Sequence, residues 1–210
     1  MKILTCTSPG FFEYGTAEMP QPTKNNAIIK IKNIGICGTD LHAFEGTQPY
    51  FTYPRILGHE LSGELVEAGD AVGFEKGEAV TFLPYFNCGK CIACRQGATN
   101  CCMHLKVFGV HIDGGMKEYI SVPADKLIHG EGLSYEALAL VEPLAIGAHA
   151  IRRANVKKDE FIVVVGAGPI GLGIMEFAHI AEGKIIAIDV NDKRLQFCKD
   201  KLHVEHTINA

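Results

Sequence analysis

The chain has 210 residues, 47% of them hydrophobic and 21% charged, with a formal net charge of −4. That is enough length for one large domain or two small ones, and the composition is that of an ordinary soluble globular protein. The acidic balance, without a lysine or arginine cluster, argues against a nucleic-acid partner, which needs concentrated positive charge. The longest apolar run, 161–175, is broken by glycines and Pro169 and is too short to span a bilayer, so no membrane partner is expected. The opening MKILTCTSPG breaks into turn residues before a secretory apolar region could form, which makes the cytoplasm the expected compartment.

In chain order, short alternating runs at 27–34, 63–68, 79–83 and 118–122 are separated by turn residues and read as β-strands of a loop-rich domain. Interspersed with them are three segments that carry metal-ligating side chains: Cys37-Gly-Thr39-Asp40-Leu-His42, Gly58-His59-Glu60 and Val141-Glu142-Pro143. Thiolate, imidazole and carboxylate are the ligands zinc accepts in open catalytic sites. Such ligands meet in space rather than in sequence. Taken singly each has a plainer reading: Cys37 as a small buried hydrophobe, His59 as a hydrogen-bonded turn residue, Glu142 as a carboxylate at a helix N-terminus.

Cys88, Cys91, Cys94 and Cys102 fall within one short stretch, three at C-x2-C-x2-C spacing and the fourth eight residues later. The segment NCGKCIACRQGATNCC has almost no large apolar side chains with which to bury a core. Thiolates this close converge on one tetrahedral ion, at about 2.3 Å per Zn–S bond. Disulfides fit poorly in a chain of eight cysteines with no signal peptide. A structural zinc is expected. Cys101 adjoins Cys102, and spacing alone leaves either as the fourth ligand.

The pattern changes near residue 155, dividing the chain into 1–154 and 155–210. FIVVVGAGPIGLGIMEFAHIA, KIIAIDV, a helical stretch through Arg194 and Lys201, then HTIN, read as strand, glycine turn, helix, strand, helix and a further strand. Continuous apolar strands predict a parallel sheet covered on both faces. In Gly166-Ala-Gly168-Pro169-Ile170-Gly171 the first glycine permits the tight turn and the second lets backbone approach a pyrophosphate. The third lets the helix pack on the strand, and the helix N-terminus offers free N–H groups to the anion. Asp189, ending the next strand, is spaced to accept from adenosine ribose hydroxyls and would repel the extra phosphate of NADP, which favours NAD. Arg194 is a cation near that ribose, or a solvated helix residue.

In one order, ICGTDLHAFEG, YPRILGHELSGEL, GKCIACRQGATNCC, DGGMKEYISVP, LVEPLAIGAHAIRRA and VVVGAGPIGLG resemble the zinc-dependent medium-chain dehydrogenase/reductase superfamily, the alcohol, sorbitol and threonine dehydrogenases. The resemblance implies a GroES-like β-rich catalytic domain followed by a Rossmann domain, the latter cut short at HTINA. It selects Cys102 over Cys101. It makes Cys37 and His59 ligands of a catalytic zinc and Glu60 a carboxylate that ligates the metal or exchanges with water. Glu142 stands where liver-type alcohol dehydrogenases have cysteine, and VEP there resembles the polyol-dehydrogenase branch, which makes its carboxylate a zinc ligand or the holder of the zinc-bound water. Asp40 resembles the acid that hydrogen-bonds the ligating histidine, and Thr39 with His42 resembles the proton relay to solvent.

The implied activity is hydride transfer between NAD and a secondary alcohol of a polyol or sugar acid, the metal acidifying the alcohol as zinc acidifies water to a pKa of about 7. GTQPYFTYPRILGHE and TNCCMHLKVFGVHIDGG resemble sugar-acid dehydrogenases of the L-galactonate oxidoreductase type, with Tyr50 and Phe51 near the substrate pocket. Within enzymes the alternative is a threonine-type or simple alcohol dehydrogenase. Outside them it is a zinc-stabilised non-catalytic protein, or a zinc-knuckle nucleic-acid binder. The family implies a dimer or tetramer when full length, and no turnover from a chain truncated here, whose sheet edge after Ile208 would be unpaired.

Overall fold

The computed structural model describes all 210 residues, Met1–Ala210. They form two compact units, Met1–Glu142 and Pro143–Ala210.

The first unit begins with an antiparallel pair, β1 (Lys2–Ser8) and β2 (Phe11–Thr16). The sequence reading has no strands here. Its centre is a five-stranded antiparallel sheet in the order β8-β3-β4-β5-β9, formed by β8 (Tyr119–Pro123), β3 (Asn26–Gly35), β4 (Glu60–Glu67), β5 (Ala79–Phe82) and β9 (Leu127–His129). Four of these coincide with the alternating runs read from sequence. One face buries Ala27, Ile29, Leu61, Leu65, Val80 and Ile120. Helix α1 (Gly38–Glu45) follows β3 directly. Gly46 closes it in the left-handed region at φ 76°, a conformation glycine takes without Cβ strain. A second cluster beneath α1 joins Cys6, Ala43, Phe51, Ile56, Leu57, Val110 and Met116.

Strands β6 (Tyr85–Phe86) and β7 (Lys106–Val107) pair antiparallel at the base of the cysteine loop. Inside that loop lie only the one-turn helix α2 (Ile92–Arg95) and a 3-10 turn at Thr99–Cys101. Of residues 88–102, only Cys102 is buried. The unit ends with α3 (Tyr135–Ala139), capped by the Ser134 hydroxyl accepting from Ala137 N–H.

The second unit holds most of α4 (Val141–Ala154), then β10 (Phe161–Val165), α5 (Pro169–Ile180), β11 (Lys184–Asp189), α6 (Asp192–Leu202) and β12 (His206–Asn209). Its three strands are parallel in the order β10-β11-β12, as the sequence pattern predicts. The division between units falls at residue 142 instead of 154. Helix α4 accounts for the difference: a Cβ on Gly147 would stand 2.9 Å from the Gly173 carbonyl carbon, so α4 packs against α5.

Val164, Ile185 and Ala187 pack on Met175, Ala178, Leu195 and Cys198 of the helices. The other face of the sheet is uncovered in this chain, with Phe161, Val163 and Val165 at 64%, 56% and 79% exposure. The expected covering of both faces is thus met on one face by α5 and α6.

Gly171 is packed so closely that a Cβ would collide with the Gly166 carbonyl oxygen. Gly171→Ala is therefore expected to force helix and turn apart, an overpacking cost of about 1–3 kcal/mol. Thermal unfolding would register it as a lowered midpoint; an unchanged midpoint would show that the turn absorbs the methyl group.

Candidate functional site

Cys37 is the N-cap of α1, and His59 immediately precedes β4. What brings these segments together is Asp40, in the first turn of α1 and 4% exposed. Its Oδ2 accepts from Cys37 N–H at 2.9 Å and its Oδ1 from Gly58 N–H at 3.1 Å. Gly58 has φ 93°, open to glycine and strained for other residues. One buried carboxylate thus ties the thiol-bearing segment to the imidazole-bearing one.

Ligand atoms of Cys37, His59 and Glu60 all lie within 4.8 Å of one another. His59 and Glu60 are buried, and His59 Nδ1 has no hydrogen-bond partner. A buried polar atom is rarely left so. A thiol, an imidazole and a carboxylate converging this closely fit a divalent cation. Glu60 opens β4 opposite Gly35. A Cβ at position 35 would stand 2.8 Å from the Glu60 Cβ, so the missing side chain makes room for the carboxylate. Gly35 is a site residue the sequence reading lacks, because only strand register reveals it.

Charge in this group is tightly balanced. Burial works to lower the His59 pKa, but the Cys37 sulfur and the Asp40 carboxylate outweigh it and push the imidazole up to about 9. Burial pushes the Asp40 carboxyl up against the two backbone donors that pull it down, and burial likewise raises Glu60.

Other expected members are arranged differently. Asp40 makes no hydrogen bond to the His59 ring; it holds backbone on both sides and reaches the imidazole only through its charge. Glu142, in the first turn of α4, lies outside the converging set and accepts from the Tyr85 hydroxyl at 2.5 Å. Burial first, then Glu142, pushes the Tyr85 phenol above its ordinary range. Tyr85 is absent from the sequence reading, since no local pattern links residues 85 and 142. His42 is exposed, and its Nδ1 faces Glu45 and Thr47, each at 3.3 Å, not Thr39. Phe51 belongs to the core cluster, while Tyr50 is exposed.

The cysteine loop converges as expected. Cys88, Cys91, Cys94 and Cys102 offer sulfurs within 4.8 Å of one another, and Cys101 is exposed outside the set. Sulfur separations of 3.5 Å (Cys91–Cys94) and 3.9 Å (Cys91–Cys102) are far beyond a disulfide bond. They bracket the edge of about 3.8 Å that a tetrahedron with about 2.3 Å Zn–S bonds requires. Backbone N–H groups of Cys88 and His104 both point at the Cys102 sulfur at 3.3 Å. Hydrogen bonds from the backbone of Cys94 and Met103 bring Cys91 down to about 6, while burial and the Cys91 sulfur drive Cys94 up to about 11.

In the second unit, Gly166 has φ 98° and Gly168 is the N-cap of α5, with Pro169 its first residue and no side-chain cap on the helix N-terminus. Ile170 and Gly171 complete the turn of α5 onto the sheet. Beside this turn lies a cavity of about 360 Å³ lined by Gly168, Pro169, Asn191, Lys193 and Arg194 among others. Asp189 Oδ2 accepts from Ala167 N–H at 2.7 Å and Oδ1 from Asn191 N–H at 2.8 Å, and these donors hold its carboxyl below the ordinary range. Arg194 stands 3.8 Å from Asp189 Oδ2. Each Asp189 oxygen keeps a further lone pair for a ribose hydroxyl.

No helix is long and apolar enough to cross a membrane. Residues 23–131 match the alcohol dehydrogenase GroES-like domain. L-galactonate-5-dehydrogenase of Escherichia coli K12 is 44% identical over 97% of this chain and 60% of its own length. The crystal structure of galactitol-1-phosphate dehydrogenase from Escherichia coli superposes with a TM-score of 0.92 at 29% identity, covering 100% of this chain and 61% of that one. A structure from E. coli CFT073 described as a short chain alcohol dehydrogenase complexed with NADH gives a TM-score of 0.89 at 33% identity, over 99% of this chain and 62% of that chain. The chain thus spans about three-fifths of the length of the relatives it matches. With its GroES-like domain matched in sequence and its parallel-sheet unit in fold, the chain belongs to the zinc-type alcohol dehydrogenase family, the medium-chain dehydrogenases/reductases.

Proposed function

We propose that the protein to which this chain belongs is a zinc-dependent oxidoreductase that moves a hydride between NAD and a secondary alcohol of a polyol or sugar acid. The observation that carries this reading is the convergence of Cys37, His59 and Glu60, whose ligand atoms all lie within 4.8 Å of one another. The substrate class is supported by the L-galactonate and galactitol-1-phosphate dehydrogenases it resembles, and L-galactonate is the first candidate.

When bound at these residues, zinc supplies Lewis acidity that lowers the pKa of an adjacent hydroxyl, and NAD supplies the hydride acceptor. Cys37, His59 and Glu60 hold the metal and Asp40 keeps their backbones in register. Thr39 takes the hydroxyl proton. His42 passes it to solvent across a bridging hydroxyl or water, since its ring faces Glu45 and Thr47. Cys88, Cys91, Cys94 and Cys102 hold a structural zinc. Gly166, Gly168 and Gly171 form the pyrophosphate turn, with Asp189 the ribose acceptor and Arg194 beside the adenosine. Assembly into dimers or tetramers and a cytoplasmic location belong to the same reading.

Substrate class is tested by NADH formation from L-galactonate, sorbitol, threonine and ethanol with the intact protein. The sugar acid or polyol should be oxidised fastest; a preference for threonine or ethanol would move the enzyme to another branch.

Asp40→Ala removes the acceptor of the buried Gly58 N–H and the half-buried Cys37 N–H, at about 1–3 kcal/mol for a buried group left unpaired. Zinc content should fall from two ions per chain towards one, because only the ligand group of Cys37, His59 and Glu60 is disturbed. Retention of both ions would refute the bracing role.

Proton and zinc compete for His59. Its pKa in the metal-free fold lies above the ordinary 6.5, at about 9. The protonated ring therefore stabilises that fold fully below pH about 6.5, and the contribution is lost as pH rises through about 9. Zinc needs the neutral ring. Metal-free protein should melt lower at pH 9 than at pH 6.5, and the rise in melting temperature on adding zinc should grow over that range. A zinc effect that shrinks with pH would contradict this.

A further inference from the structure

We propose that Tyr85 is a positioning residue that holds Glu142 out of the metal's ligand set, so that Cys37, His59 and Glu60 keep one position open. This rests on the zinc reading above. The Tyr85 hydroxyl donates to Glu142 Oε1 at 2.5 Å. That phenol is the only hydrogen-bond partner of the Glu142 carboxylate. Glu142 lies near enough for its charge to act on His59 and Glu60, yet its oxygens stay outside the converging group.

The consequence is a question of ligand number. Three protein ligands on a tetrahedral zinc leave a fourth position for substrate, and a fourth protein ligand closes it. A carboxylate at the margin of such a site, with nothing holding it, is the group that would close it. Tyr85 is itself well anchored. It pairs with Val107 across β6 and β7, the two strands that clamp the base of the cysteine loop, and it stands three residues before Cys88. Tyr85 is thereby held by its strand pairing at the base of the four-cysteine loop. The plain alternative is a phenol that merely satisfies its own hydroxyl.

The test exchanges zinc for cobalt in the intact protein and uses azide as a probe of the open position, read from the cobalt d–d bands. Wild type should bind azide. Tyr85→Phe should release Glu142 onto the metal, alter the bands without azide and weaken azide binding about tenfold, the scale of outer-partner losses in metal sites. In a Glu142→Ala background, Tyr85→Phe should have no further effect. Unchanged azide affinity in Tyr85→Phe, or an effect that survives Glu142→Ala, overturns the proposal. Should Tyr85→Phe fail to fold, Glu142→Gln decides. An amide held by the phenol preserves the wild-type bands, whereas altered bands mean that Glu142 already ligates. Wild-type protein that binds cobalt only at the four-cysteine loop sinks the zinc reading itself, and does so before any variant is made.

Discussion

The candidate metal site depends on one buried carboxylate and the two backbone N–H groups it receives. Asp40 joins the head of α1 to the turn before β4, and without that bridge the Cys37 thiol and the His59 imidazole would belong to independent loops. Burying an anion is costly unless it is well hydrogen-bonded, and here both oxygens have donors. The arrangement also sets the electrostatics of the site. The Cys37 sulfur and the Asp40 carboxylate both raise the His59 pKa against the effect of burial.

A second constraint comes from what the cysteine loop lacks. It has no apolar core of its own, only four converging sulfurs and the short β6–β7 pair beneath them. A loop of that kind is ordered by a metal ion under the zinc reading proposed above. Tyr85, at the base of this loop in β6, donates to Glu142 of α4.

In the second unit the governing contact is the approach of Gly171 to the Gly166 carbonyl, which presses α5 onto the end of β10 and leaves the helix N-terminus uncapped. Asp189 reinforces that turn by accepting from Ala167 N–H, so the residue read as a ribose acceptor also shapes the loop that would face the pyrophosphate. Both roles are compatible because a carboxylate oxygen accepts more than one bond.

The strand–turn–helix order of the second unit and most strands of the first are legible in the chain, because period-two and continuous apolar runs and glycine turns are local signals. Cysteine spacing likewise marks the segment where four sulfurs converge. Only the tertiary structure decided that Asp40 braces backbone instead of the imidazole, that Gly35 clears space for Glu60, that α4 belongs with the second unit, and that Glu142 answers to Tyr85. Each of those depends on strand register or on packing between residues far apart in the chain. No local pattern encodes such contacts, because the free energy that selects them appears only when distant segments are already in place.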